Sequence, residues 1–238
     1  MIIKAKDWKE AQEGSLGYES PMVLETYSSL DPQLISNREN LPIFQERIKI
    51  FQELVGKSIS SIGAKLEYRI LDIGGGNGYF AKFLRLAFPK HYFNYTVLES
   101  PAIANLYRKK FLGSKIEFVD DFSDISEIDI VFISCFLQYV ENAESFLHKS
   151  TLLTNNILVM RHPETLGDYD VYGIQKIANM ENSGQEVSWP IHIFHKDWLD
   201  LILYKHNFQL VHEIGMREEF LEIDPEKFEM KCKLFQKL

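Results

Sequence analysis

The stretch Ile70-Leu71-Asp72-Ile73-Gly74-Gly75-Gly76-Asn77-Gly78-Tyr79-Phe80 constrains this chain more than any other. A short apolar run ends in an acidic residue, a glycine-rich turn follows, and a helical pattern resumes. Glycine permits positive φ and lets the backbone approach a ligand closely. A helix that starts there adds unpaired N–H groups and the positive end of its dipole. A dinucleotide site asks for G-x-G-x-x-G/A, so that a pyrophosphate rests on the helix N-terminus. Counted from Gly74, that pattern fails at Tyr79. The form present is D-x-G-x-G-x-G, and a carboxylate beside the turn repels a pyrophosphate. It suits a ligand that carries a cationic amine and a sulfonium. A turn that only packs strand on helix is the rival reading, and the placed carboxylate argues against it.

Around the loop, short apolar runs alternate with segments of helical period. Tyr68–Ile73, Tyr92–Leu98, Ile116–Val119, Ile128–Ser134 and Ile157–Met160 read as strands. Gly78–Phe88, Ala102–Phe111 and Ala143–Ser150 read as helices, with stops at Pro89 and Gly113. This alternation predicts βαβ units and a parallel sheet covered on both faces. Leu41, Phe44, Ile48, Phe51 and Val55 share one helical face, with Asn40 as N-cap and Pro42 in the first turn. Further on, a helix is expected at Val171–Met180 and another over Lys196–His206, closed by Asn207. Phe208–Ile214 and Phe228–Phe235 read as two last strands. The expected fold is a doubly wound α/β domain with a seven-stranded, mostly parallel sheet. Residues 1–65 would form an N-terminal helical extension or cap. Residues 66–238 would form the binding domain, with an insertion at about 164–195.

Of the 238 residues, 34 are acidic and 26 basic, a net charge of −8. That balance lacks the basic footprint that a phosphate backbone requires, so nucleic acid is not the expected partner. No run approaches the length of a membrane span and no leader pattern opens the chain, which makes the cytoplasm the expected compartment. Cys135 and Cys232 cannot form a disulfide framework or a four-thiolate zinc site. Cys135, inside an apolar run, reads as a small buried hydrophobe in preference to a reactive thiol.

On the loop above all, the chain resembles the class I methyltransferases that use S-adenosylmethionine (SAM), over about residues 66–215. The resemblance implies that Gly74, Gly76 and Gly78 pass beneath the methionine part of SAM and that Asp72 orients its amino group, directly or through water. Glu99, at the end of Tyr95-Thr96-Val97-Leu98-Glu99, would accept hydrogen bonds from the ribose hydroxyls. Asp121 would accept from the adenine amino group, with Asp120 as its rival, and Phe122 would flank the ring. Ser134, Cys135, Phe136, Gln138 and Tyr139, after the fourth strand, would lie near the transferable methyl. Tyr18 could reach over SAM from the N-terminal segment.

A narrower resemblance rests on Trp8-Lys9-Glu10-Ala11, Gly17-Tyr18-Glu19-Ser20-Pro21, Asp72-Ile73-Gly74-Gly75-Gly76, Val97-Leu98-Glu99-Ser100-Pro101 and Leu137-Gln138-Tyr139. These are similar to methyltransferases associated with bacterial surface-polysaccharide synthesis. They imply a small or sugar-linked acceptor, methylated on oxygen, since no Asn-Pro-Pro-Tyr-like motif follows the fourth strand. A hydroxyl acceptor benefits from a general base, and histidine is the usual one. Of the seven histidines, His162, His195 and His192 are the candidates, each with helix capping or packing as its rival role. Arg161 could meet an anionic group of the acceptor, or form a surface salt bridge. The His192-x-x-His195 pair has no third ligand at convincing spacing, so no metal is expected. A homodimer is possible, because the apolar face of the 41–55 helix can pack on its own sheet or on a second subunit. The competing functions are a non-catalytic scaffold with the same fold and, disfavoured by Tyr79, an NAD-dependent reductase.

Overall fold

A computed structural model describes residues 1–29, 41–177, 186–216 and 228–238, with the backbone alone for 26–29. The sheet at its centre has seven strands: β2 (Glu67–Ile73), β3 (Tyr92–Leu98), β4 (Ile116–Val119), β5 (Ile130–Ser134), β6 (Asn156–Thr165), β9 (Phe208–Met216) and β10 (Phe228–Lys237). Their order is β4-β3-β2-β5-β6-β10-β9. Neighbours from β4 to β6 run parallel, and β10 runs antiparallel to both β6 and β9. This is the expected doubly wound, mostly parallel architecture.

Alternation along the strands splits the core in two. Tyr68 and Ile70 of β2, with Tyr95 and Val97 of β3, face one layer; Leu71, Ile73 and Leu98 face the other. The first layer is filled by α3 (Pro42–Ile62), through Phe51, Leu54 and Val55, by α4 (Ala81–Ala87) and by α5 (Pro101–Lys110). The apolar face of α3 therefore packs on the chain's own sheet. Its first turn begins after an extended Leu41, with Pro42 supplying the preset φ; Asn40, the expected cap, lies outside the described residues. The second layer holds α6 (Ala143–Leu153) and α7 (Trp198–Lys205). Asn207 follows α7 with φ 63°, the left-handed stop its side chain tolerates.

A second sheet departs from expectation. β7 (Val171–Ile177) is a strand where a helix was predicted over Val171–Met180, whose last three residues lie outside the described ones. It sits between β1 (Ile2–Ala5) and β8 (Val187–Ile193), antiparallel to each. The physical reason is non-local. Val171, Ile174 and Ile177 are β-branched, and Ile2 and the carbonyl of Ile3 stand 2.7 and 2.8 Å from where a Cβ of Gly173 would be. The N-terminal segment is thus helical only in part: α1 (Trp8–Glu13) and α2 (Pro21–Ser29) follow a strand.

Candidate functional site

β2 lies between β3 and β5, so successive strands depart from it in opposite directions and leave a crevice beyond their carboxyl ends. The glycine loop occupies that position. Its first N–H, from Gly74, donates to the carbonyl of Leu98 at 2.8 Å. Gly74 has φ 70°, and a Cβ there would stand 2.7 Å from Cγ of Phe136. No other residue type fits without moving that ring.

Two carboxylates flank the loop. Oε1 of Glu99 accepts from the N–H of Gly76 at 2.9 Å, and Oε2 accepts from the N–H of Ser100 at 3.2 Å. Burial pushes the Glu99 carboxyl above the usual range, against the pull of these two donors. Asp72 is 1% exposed and accepts from the Tyr95 hydroxyl at 2.7 Å. Burial pushes Asp72 up to about 7, with Tyr95 pulling it down and the charge of Glu99 adding to the rise. A site with one buried and one half-buried carboxyl group favours a cationic ligand over a pyrophosphate.

The crevice is a cavity of about 410 Å³, within the range of small-molecule sites. Gly74, Gly76, Glu99, Asp120, Asp121, Phe122, Cys135, Tyr139 and Tyr18 are on its wall. At one end, Asp120 pairs with Arg108 at 2.8 Å, while Asp121 accepts from the N–H of Ser123 at 2.7 Å and caps a 3-10 turn. Phe122 presents its ring there, with Nζ of Lys149 5.1 Å from its centre. Lys149 and Phe146, which also line the cavity, come from α6, and nothing local in that helix marks them as cavity-facing.

At the other end, Cys135 adopts φ 53° directly after β5 and turns the chain into the cavity wall. It is half-buried, which differs from a simple core residue. Tyr139 donates to Oε1 of Gln175 on β7 at 2.8 Å, and Nε1 of Trp189 on β8 donates to the same atom. Tyr18 stacks on Trp189 with 4.8 Å between ring centres and meets Tyr139 edge-on at 5.3 Å. Gln138 is buried instead, donating to Sγ of Cys135 at 3.1 Å. Gln138, Ser134, Gly78 and Asp72 are not on the cavity wall.

None of the three candidate histidines lines the cavity. His162 packs between β6 and α7, stacked on Phe194 and Trp198, and burial holds its pKa down to about 3. His192 shares one face of β8 with Ser188 and Pro190, by the two-residue pleat, and packs between Tyr172 and Phe194, whereas Trp189 on the other face reaches Gln175. It approaches Asp170 at 3.3 Å. His195 holds the other oxygen of Asp170 through Nδ1 at 3.0 Å. Among the described residues no cluster of three metal-ligating side chains occurs. No helix among them is long and apolar enough to cross a membrane.

The sheet order, the single antiparallel strand and the glycine loop at the switch point define a methyltransferase fold of the Rossmann-like kind. No protein-family model and no curated protein matches the sequence. Solved structures do match. The CcbJ methyltransferase from Streptomyces caelestis is 12% identical with a TM-score of 0.54, over 90% of this chain and 96% of that one. The N-terminal domain of EvdMO1, crystallised in the presence of S-adenosylhomocysteine (SAH) and D-fucose, is 15% identical with a TM-score of 0.52, over 84% of each chain. A variant of LepI, in complex with SAH and a substrate analogue, is 14% identical with a TM-score of 0.51 over 77% of this chain. The chain spans 46% of LepI's length. At these identities the likeness is one of fold.

Proposed function

We propose that the protein transfers a methyl group from SAM to an oxygen of a small or glycan-linked acceptor. Glu99 carries this reading. Backbone N–H groups of Gly76 and Ser100 hold it on the cavity wall beside the glycine loop, and an ionised carboxylate has acceptor positions left for vicinal ribose hydroxyls. When bound, SAM supplies an electrophilic methyl on a cationic sulfur. Asp72 and Glu99 contribute the opposing charge, and Gly74 and Gly76 the close backbone approach. Asp121 and Phe122 take the adenine end; Asp120, engaged by Arg108, is the less available of the two acids.

The acceptor would lie at the end walled by Cys135, Phe136, Tyr139 and Tyr18. Tyr18 from the N-terminal cap and Trp189 from the insertion meet there, which supports a closing role for both segments. A methyl transfer is an in-line displacement, so holding the acceptor oxygen in place supplies much of the rate. No base is assigned, because the three candidate histidines stand off the cavity wall. The D-fucose of the EvdMO1 structure and the resemblance to surface-polysaccharide methyltransferases support a sugar acceptor.

Calorimetric titration with SAM tests the reading, comparing wild type with Gly76→Arg. Saturable heat from wild type alone is expected, and no heat from wild type refutes it. A second reading, the same fold with other chemistry, draws on a neighbour described as a pericyclic reaction enzyme, 15% identical with a TM-score of 0.51. Release of SAH during turnover with sugar acceptors separates the two.

A further inference from the structure

Asp72 and Tyr95 meet on the sheet face that packs against α3, α4 and α5. Alternation puts Tyr68, Ile70 and Asp72 of β2 on that face, beside Phe93, Tyr95 and Val97 of β3. The Tyr95 hydroxyl donates to Oδ2 of Asp72 at 2.7 Å, and both side chains are closed to solvent. Oδ1 is also buried and has no partner among the described residues. The carboxyl group fills the space where Gly75 would carry a Cβ, with Oδ1 2.8 Å from that point. Gly75 occupies a position that the D-x-G-x-G-x-G pattern leaves open, and Asp72 is the reason it is glycine. Gly74 and Gly76 are on the cavity wall while Asp72 is not, so its carboxyl group acts from beneath the loop backbone.

We propose that Tyr95 is a positioning residue of the cofactor site: through Asp72 it sets the shape of the glycine loop and the charge state in which the loop receives a cationic cofactor. The proposal rests on the methyltransferase reading above. Among the described residues, Tyr95 and Glu99 are the titratable groups that act on Asp72, and its register partners Val97 and Phe132 are apolar. A buried carboxyl group with one donor is poorly held as an anion, and burial pushes it up to about 7. A cation bound above the loop favours the ionised form, so binding draws off the proton. Removing the phenol removes the one donor that stabilises the anion.

SAM titrations of wild type and Tyr95→Phe across pH test this. Wild-type affinity is expected to rise with pH, by about tenfold per unit below the midpoint, and then to level off. Tyr95→Phe is expected to move the midpoint up by about one unit, so that SAM binds about tenfold more weakly near pH 6 and equally well near pH 9. Affinity unchanged at every pH, or weakened equally at every pH, overturns the proposal. A ligand-free measurement keeps the two readings apart. The infrared carbonyl band of protonated Asp72, assigned by its loss in Asp72→Asn, is expected to titrate at higher pH in Tyr95→Phe and in Gly75→Ala. SAM binding with an unmoved infrared midpoint defeats the role of Tyr95. A moved midpoint in a protein that binds no SAM defeats the cofactor reading, and with it this role in the site.

Discussion

The N–H of Gly76 donates to Oε1 of Glu99 at 2.9 Å, which ties the glycine loop to the end of the neighbouring strand. One carboxylate thus holds the loop and faces the cavity. Glu99→Gln keeps the shape and an acceptor for Gly76 but loses the charge and half of the acceptor capacity. A SAM affinity lower by about 10- to 100-fold is expected by calorimetry, with little change in melting temperature. An affinity equal to wild type would remove Glu99 from the ligand site.

Gly74 and Phe136 share one space. Gly74→Ala adds a Cβ at φ 70° against the Phe136 ring. It is expected to cost about 1–3 kcal/mol of stability in denaturant unfolding and to abolish measurable SAM binding. Phe136→Ala in the same chain relieves the clash but not the backbone strain, so a partial recovery of stability is expected. Additive losses would show that the two residues do not compete.

His162 is a stability switch in acid. Its ring is 1% exposed, and its pKa falls from 6.5 to about 3 through burial, with the charges of Lys233 and His192 adding to the effect. The unfolded chain takes up a proton near pH 6.5 that the native state refuses. Native stability is therefore lost as pH falls from about 6.5 toward 3, and it is intact above that window. His162→Phe removes this dependence, so the melting-temperature difference between variant and wild type is expected to grow in the variant's favour on acidification from pH 7 to pH 5. A constant difference would mean that the ring is protonated in the fold.

Lys233 is buried against Glu164 at 2.6 Å and Asp200 at 3.0 Å. Desolvation opposes its charge, but these carboxylates outweigh it and hold the amine above its usual range. Lys233→Met leaves Glu164 buried without its counter-charge, at a cost of about 3–5 kcal/mol in denaturant unfolding. Adding Glu164→Leu is expected to return part of that loss. A double variant less stable than Lys233→Met would show that Glu164 has other partners.

Much of the fold was legible because its signals are local. The alternation of short apolar runs with helical spacing follows from two faces that must be buried, and β2 to β6, β9 and β10 all begin within two residues of where that pattern puts them, although β6 runs on to Thr165, past the expected end at Met160. The glycine loop was legible for a similar reason: positive φ and close approach leave few residue types. The strand β7 was not legible. Val171–Ile177 is short enough to suit either period, and one of its two partners, Ile2–Ala5, is the far end of the chain. His192 and His195 suit a base by type and neighbourhood, but the pleat of β8 puts His192 on the face opposite Trp189, packed between Tyr172 and Phe194, and His195 pairs with Asp170.

By itself the sequence determined the α/β class, the switch-point loop and the two carboxylates that flank it, since these depend on periodicity and on residues only glycine or an acid can replace. Tertiary structure alone decided what each group faces. It placed Asp72 under Gly75 with Tyr95 as its donor, brought Lys149 and Phe146 to the cavity from α6, and joined Tyr18, Tyr139 and Trp189 at one corner. Contacts between residues far apart in the chain depend on strand register and helix packing, which leave no mark on the neighbouring residues of either partner.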